Sequence, residues 1–181
     1  MTHLSFSNRQ RTRRIDLRLL RKVTAVCLKE IFDQPQFELG IHLVAAEEMA
    51  TVNQNFLQHS GSTDVITFDY GQGAAELPSA AGVPISNTPK IPTILPSATR
   101  QHVLHGEIFI SIDDAISQAK KFKTTWQSEL VRYVVHGILH LRGFDDLNPV
   151  ARKKMKREEN RVVDELTHRF PLSKLQRASK K

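Results

Sequence analysis

Apolar positions recur along this chain with two different periods. Between 14 and 32, Ile15, Leu19, Val23, Val26 and Ile31 return at helical spacing with arginines between them, which predicts an amphipathic helix. "PQFELGIHLV" then alternates, with Phe37, Leu39, Ile41 and Leu43 on one face, and predicts a strand over 37–44. "AAEEMATVNQNFLQ" reads as a helix with its acids at the start, where the macrodipole favours them. "STDVITFDY" at 62–70 is β-branched and aromatic and predicts a second strand; "GEIFISI" predicts a third. "DDAISQAKKF" is a short helix from Asp113. "TTWQSELVRYVVHGILHLRG" carries the strongest helical signal, with Leu130, Val131, Val134, Val135, Ile138 and Leu141 as a buried stripe. Thr124 and Gln127 match a capping box, and Gly143 stands where a glycine ends a helix. A last helix, thick with Lys and Arg, runs from about Pro149 to Arg169.

Composition alters this picture in three places. Residues 71–105 hold five of the eight prolines and read as a loop insertion, since proline resists both helix and central strand. It is not a domain boundary, because "GEIFISI" needs the earlier strands as partners, so one domain over 1–181 is expected. Charge is uneven. Residues 1–22 carry seven basic and one acidic group, and 150–181 carry eleven and four, whereas 23–149 carry eight and fourteen. Cationic ends on an anionic body suit a polyanion such as RNA, and suit simple solubility equally well. Residues 170–181 read as a basic, flexible tail. Cys27 is the only cysteine, which excludes an intrachain disulfide and a thiolate metal cluster. No apolar run approaches membrane-spanning length and no secretory signal is visible, so a cytoplasmic protein is expected.

"VVHGILHLRGFDDL" at 134–147 carries the chemistry. His136 and His140 are four residues apart and share one helical face. Such a pair is the front half of a zinc site. Gly143 permits a sharp turn, after which Asp146 can return under the pair as a third ligand. Three protein ligands leave a fourth position for a water whose pKa the metal lowers. The spacing alone also fits one edge histidine and one satisfied core histidine. Gly137 occupies the position where a zinc peptidase of the H-E-x-x-H type keeps its glutamate, which disfavours peptide hydrolysis by that route.

"HGILHLRGFDD" resembles the signature of the YbeY family of bacterial rRNA maturation factors, H-G-x-L-H-L-x-G-Y-D-H. "STDVITF" at 62–68, "HGEIFISIDDAISQA" at 105–119 and "VNQNF" at 52–56 resemble other family segments, in the family's order. The resemblance implies an α+β fold, a small mixed sheet packed with helices, and a zincin-type metal site on a central helix. It implies one metal ion, usually zinc, held by His136, His140 and Asp146. It further implies a single-strand-specific endoribonuclease acting at the 3′ end of small-subunit rRNA, with the ribosomal small subunit and assembly factors as partners. A non-catalytic assembly factor with a structural metal, or a metallohydrolase of another substrate, are the alternatives.

Three departures from the family pattern stand out. Asp146 takes the place of its third histidine, a harder donor that admits manganese or iron beside zinc. Leu57 stands where the family usually carries an arginine, four residues after Asn53, with His59 or a tail cation as substitutes. The 71–105 loop exceeds the family norm. Asp145 is expected either to orient an imidazole N–H or to cap the turn. Thr63 and Asp64 are expected near the site or in turn capping. Glu107 is a candidate base or a structural acid, and His105 a weak candidate. Trp126 is read as a core anchor. The general base is left unassigned, as is the oligomeric state.

Overall fold

The computed structural model describes residues 2–71 and 103–177. Most of the 71–105 loop therefore lies outside the described residues. The chain forms β1 (Thr2–Asn8), α1 (Leu17–Val26), β2 (Phe37–Val44), α2 (Ala46–Leu57), β3 (Val65–Asp69), β4 (Leu104–Ser111), α3 (Ile112–Phe122), α4 (Trp126–Leu141) and α5 (Pro149–Arg169). The expected α+β class with a small mixed sheet is what forms. The sheet order is β1-β2-β4-β3, with β1, β2 and β4 parallel and β3 antiparallel on the edge.

Alternation divides the sheet into two faces. Phe37, Leu39, Ile41, Leu43, Leu104, Ile108 and Ile110 belong to the main core beneath α1 and α4. Val44, Met49 and Ile66 form a smaller cluster on the opposite face, where α2 packs. Trp126 is buried in the main core, as expected. Helix α4 buries eleven of its sixteen residues and lies over β3 and β4.

Two close approaches set that packing. A Cβ added to Gly137 would lie 2.7 Å from two side-chain carbons of Ile108 on β4. One added to Gly106 would lie 2.4 Å from the Phe68 carbonyl oxygen and 2.6 Å from Leu141 Cδ2. The two glycines thus let α4 sit down on the inner half of the sheet.

Several boundaries differ from the sequence reading. β1 is a strand that the hydrophobic pattern does not announce, because only Leu4 and Phe6 pack against the core. α1 begins at Leu17 rather than 14, since the Asp16 carboxylate accepts the Arg18 and Leu19 N–H groups at 3.0 Å. Residues Cys27–Ile31 continue it as a π-helical turn. The cap of α4 is Thr125, whose hydroxyl accepts from Ser128 N, while Thr124 instead donates to Glu129 at 2.5 Å. The tail expected from 170 is packed as far as 177. Leu172 and Leu175 are buried in a 3₁₀ turn (Leu172–Leu175), and Ile15 bridges Gln176.

Two outcomes follow from this packing. Gly106→Ala places a methyl against fixed backbone and should cost about 1–3 kcal/mol, read as a lower urea midpoint at unchanged slope. Cys27 is fully buried, and burial pushes its thiol up to about 12 despite the guanidinium of Arg142. The native thiol should therefore resist a disulfide reagent at pH 8 and react promptly once the chain is denatured.

Candidate metal centre

α4 delivers His136 and His140 from successive turns, with Gly137 between them pressed onto Ile108. The Nε2 atoms of the two rings face one another at 3.1 Å. Each ring is fixed from behind. His136 Nδ1 meets the Glu159 carboxylate at 3.0 Å, and His140 Nδ1 meets the Phe144 carbonyl at 3.1 Å. Both outer partners are acceptors, so both Nδ1 atoms carry the proton. Both Nε2 lone pairs then point into one space, an arrangement that repels until a cation enters. Two nitrogens on one tetrahedral zinc stand about 3.3 Å apart at bond lengths of about 2.0–2.1 Å. The donor set fits a metal.

The third donor comes from the turn after α4. Gly143 adopts φ +81°, its N–H bonds the His140 carbonyl at 2.8 Å, and Phe144 N–H bonds Leu139 O at 3.0 Å. That reversal carries Asp146 back to the pair, and Arg152 Nε holds its carbonyl at 3.1 Å. Donor atoms of His136, His140 and Asp146 all lie within 4.8 Å of one another, a group able to hold a metal ion. Burial, then the neighbouring His136, lowers the pKa of His140, against the opposing pull of Asp146. A neutral imidazole is the form a metal needs.

Glu159, on α5, is the residue that sequence reasoning missed. It is 3% exposed and binds His136, Arg132 Nη1 at 2.5 Å and Lys156 Nζ at 2.6 Å. Burial alone pushes its carboxyl up, but the hydrogen bonds from His136, Lys156 and Arg132 outweigh it and hold the group at about 2. Its signal was present: Met155, Glu159, Val162, Val163 and Leu166 share one buried stripe of α5, so an acid stands at a core position.

Two clefts flank the histidines. One, of about 180 Å³, is lined by Asp64, Tyr133, Asp146, Glu159 and the cations Arg132, Arg152 and Lys156. The other, of about 260 Å³, runs along edge strand β3 past Val65, Thr67 and Asp69. Tyr133 Oη and Thr67 Oγ1 are buried without a hydrogen-bond partner among the described residues. Each lines one of these clefts, and each is a hydroxyl available to a ligand.

The other sequence candidates fall out as follows. Asp145 orients neither imidazole; it is exposed and accepts the Leu147 N–H at 3.0 Å, capping the turn. Asp64 does both things expected of it, lining the cleft while accepting from Thr63 Oγ1 and Val65 N. Glu107 is no base for this centre. Strand alternation puts Gly106 and Ile108 toward α4 and Glu107 on the far face, against His42 at 3.4 Å and Tyr70 Oη at 3.1 Å. His105 is on that far face too, 3.9 Å from Glu38. Leu57 ends α2, and His59 is exposed beyond it.

Comparison with known proteins places this geometry. The family model described as endoribonuclease YbeY matches residues 5–167. The protein named Endoribonuclease YbeY from Parabacteroides distasonis is 33% identical over 134 residues, 74% of this chain and 75% of that protein. Its namesake from Salinibacter ruber is 30% identical over 126 residues, 70% of this chain and 68% of its own length. The solution structure of TM1509 from Thermotoga maritima is similar in fold, with a TM-score of 0.57, at 22% identity and over 96% of this chain and 95% of that one. A match over most of its length, together with these relatives, shows that the chain belongs to the endoribonuclease YbeY family.

Proposed function

We propose that the protein is a metal-dependent endoribonuclease, specific for single strands, that acts in maturation of the 3′ end of small-subunit rRNA. His136, His140 and Asp146 are its metal ligands in this reading, and zinc is the ion. The aspartate is harder than the imidazole it replaces and leaves room for manganese or iron. The family's activity supports the reaction class. One observation in this chain carries it furthest: two Nε2 lone pairs and the Asp146 carboxylate converge beside a cleft in which Arg132, Arg152 and Lys156 stand with Asp64 and Glu159. The small subunit and its assembly factors are the proposed partners, in the cytoplasm. Among the described residues no helix is long and apolar enough to cross a membrane.

A bound divalent ion would supply Lewis acidity to a phosphoryl oxygen and acidify a water. The remaining work belongs to the side chains. Arg132, Arg152 and Lys156 face the cleft with charge for phosphodiester oxygens, and Arg132 is itself fixed by Glu159 and by Asn160 at 2.7 Å. The Tyr133 hydroxyl stays protonated, because burial and then the carboxylates of Asp64 and Glu129 raise its pKa. It can therefore donate to substrate without changing state. Glu159 is already engaged by three donors, so its role is to aim His136 and not to take a proton. Among the described residues three candidate ligands converge, and the clefts on either side would leave a bound ion room for a further ligand. That favours a reacting ion over a structural one.

His140→Ala should lose most of its bound metal by elemental analysis and most of its cleavage of single-stranded RNA. Full cleavage by the metal-free variant would overturn the mechanism. Glu159→Gln keeps the shape but weakens the grip on His136, and metal affinity should fall about 10–100-fold, measured by competition with a chelator. Wild-type affinity in that variant would show that the carboxylate does not orient the ligand.

A further inference from the structure

A second cationic cleft lies away from the metal centre. It encloses about 510 Å³ and is lined by Arg11, Arg13, Arg14 and Arg177 with Asn8, Gln10 and Ile15, and no acid among them. Four other arginines are ion-paired, Arg9 with Glu48, Arg132 with Glu159, Arg161 with Glu158 and Arg169 with Glu30, while Arg18, Arg21, Arg142, Arg152 and Arg157 are scattered over other parts of the chain without an ion pair among the described residues. Among the described residues none of the four cleft arginines forms an ion pair. The neighbouring Asp16 spends its carboxylate on the N–H groups of α1.

Four unpaired guanidiniums repel, so something must hold them together. Gln10 is 5% exposed; its amide donates to Asn8 Oδ1 at 2.9 Å and Arg13 O at 2.8 Å, and accepts from Arg13 N at 2.9 Å. Thr12 Oγ1 donates to Asp113 at 2.8 Å. From the other side, Arg177 N–H bonds Arg14 O at 2.9 Å, and Asp16 N–H bonds Leu175 O at 2.8 Å. Residues 13–16 and 175–177 are thus tied together by backbone; Arg13 Nη1 donates to the Thr12 carbonyl at 3.2 Å, and the guanidiniums of Arg11, Arg14 and Arg177 are left over among the described residues. Planar guanidinium forks match phosphate oxygens better than any other side chain.

Location narrows the ligand. Arg9 N–H bonds Leu43 O at the end of β2, Val44 pairs Ser111 at the end of β4, and Ser111 N–H bonds the Asp64 carbonyl. The arginine cleft and Asp64, which lines the metal-side cleft, therefore lie at the same end of the sheet on opposite edges. The histidines lie further along β3, beside Val65, Thr67 and Asp69, and three inter-strand spacings separate those edges, at least about 14 Å. That is on the order of four stacked nucleotides at about 3.4 Å each. We infer that the cleft formed by Arg11, Arg13, Arg14 and Arg177 docks backbone phosphates of the same single RNA strand whose scissile bond lies at the metal centre. This rests on RNA being the substrate.

The test measures binding of metal-loaded protein to single-stranded RNA with a 2′-O-methyl backbone, which resists cleavage, across a salt series. Arg11, Arg14 and Arg177 are exposed, so Arg11→Gln/Arg14→Gln/Arg177→Gln should fold, as circular dichroism and metal content will report. For a ten-nucleotide RNA the variant should lose at least about tenfold in affinity at low salt. The slope of log affinity against log salt should shrink by about 0.7 per charge removed, about 2 in all. The difference should fade for di- and trinucleotides, which cannot reach both clefts. A control triple, Lys120→Gln/Lys121→Gln/Lys123→Gln, removes equal charge from exposed positions at the end of α3. An unchanged slope in the arginine variant, or equal losses in both triples, would overturn the inference. So would inorganic phosphate protecting the cleft arginines as well as long RNA does, which would mark a site for a free anion. Failure of wild-type protein to bind any single-stranded RNA would instead remove the substrate reading itself, and the inference with it.

Discussion

Two imidazoles with their protons held outward are the constraint on which the centre depends. Glu159 and the Phe144 carbonyl each take one Nδ1 proton, and so both Nε2 lone pairs are left facing inward, 3.1 Å apart. Neither partner lies on the helix that carries the histidines. One comes from α5, and the other from the turn that Gly143 allows. Remove either, and a ring is free to rotate or to change tautomer, so the lone pairs no longer coincide. The tertiary packing of α4 on α5 therefore also sets which way the His136 lone pair faces.

The sheet contributes by lying close. Gly137 and Gly106 remove the two methyl groups that would hold α4 away from β3 and β4. Bringing the helix down puts the histidines beside the edge strand, with the clefts on either side. A buried carboxylate would ordinarily be costly here, but Glu159 is surrounded by Arg132, Lys156 and His136, and its charge is compensated where it sits. The same cations face the cleft alongside the carboxylates of Asp64 and Asp146, so one network both fixes His136 and lines the neighbouring space.

Much of this was legible in the chain. The buried stripe of α4, the alternation of β2, and the histidine pair with its glycine turn are all strong local patterns, and each is where it was read. β1 was not, since an edge strand with Leu4 and Phe6 as its inward contacts shows too little alternation. Glu159 escaped because it stands among Lys156, Arg157, Glu158 and Asn160, where an acid looks like part of a solvated face; only its register with Met155 and Val162 betrays it. Glu107 was legible as a base or a structural acid, and strand parity decides for the second by sending its side chain to the face away from α4. Thr124 and Thr125 differ by one residue, and caps are decided by backbone angle, which sequence spacing does not fix.

The pinning of the last described residues against the beginning of α1 has a consequence for biosynthesis. The two histidines of α4 emerge from the ribosome before the acid that aims one of them, and the closing turn at Leu172–Leu175 emerges later still. A growing polypeptide would hold both histidines yet lack Glu159 to set their tautomer and the buried leucines that seat the far end of α5. The surroundings that aim the paired imidazoles are thus completed only after translation has passed these positions, so the centre takes its final form late in synthesis.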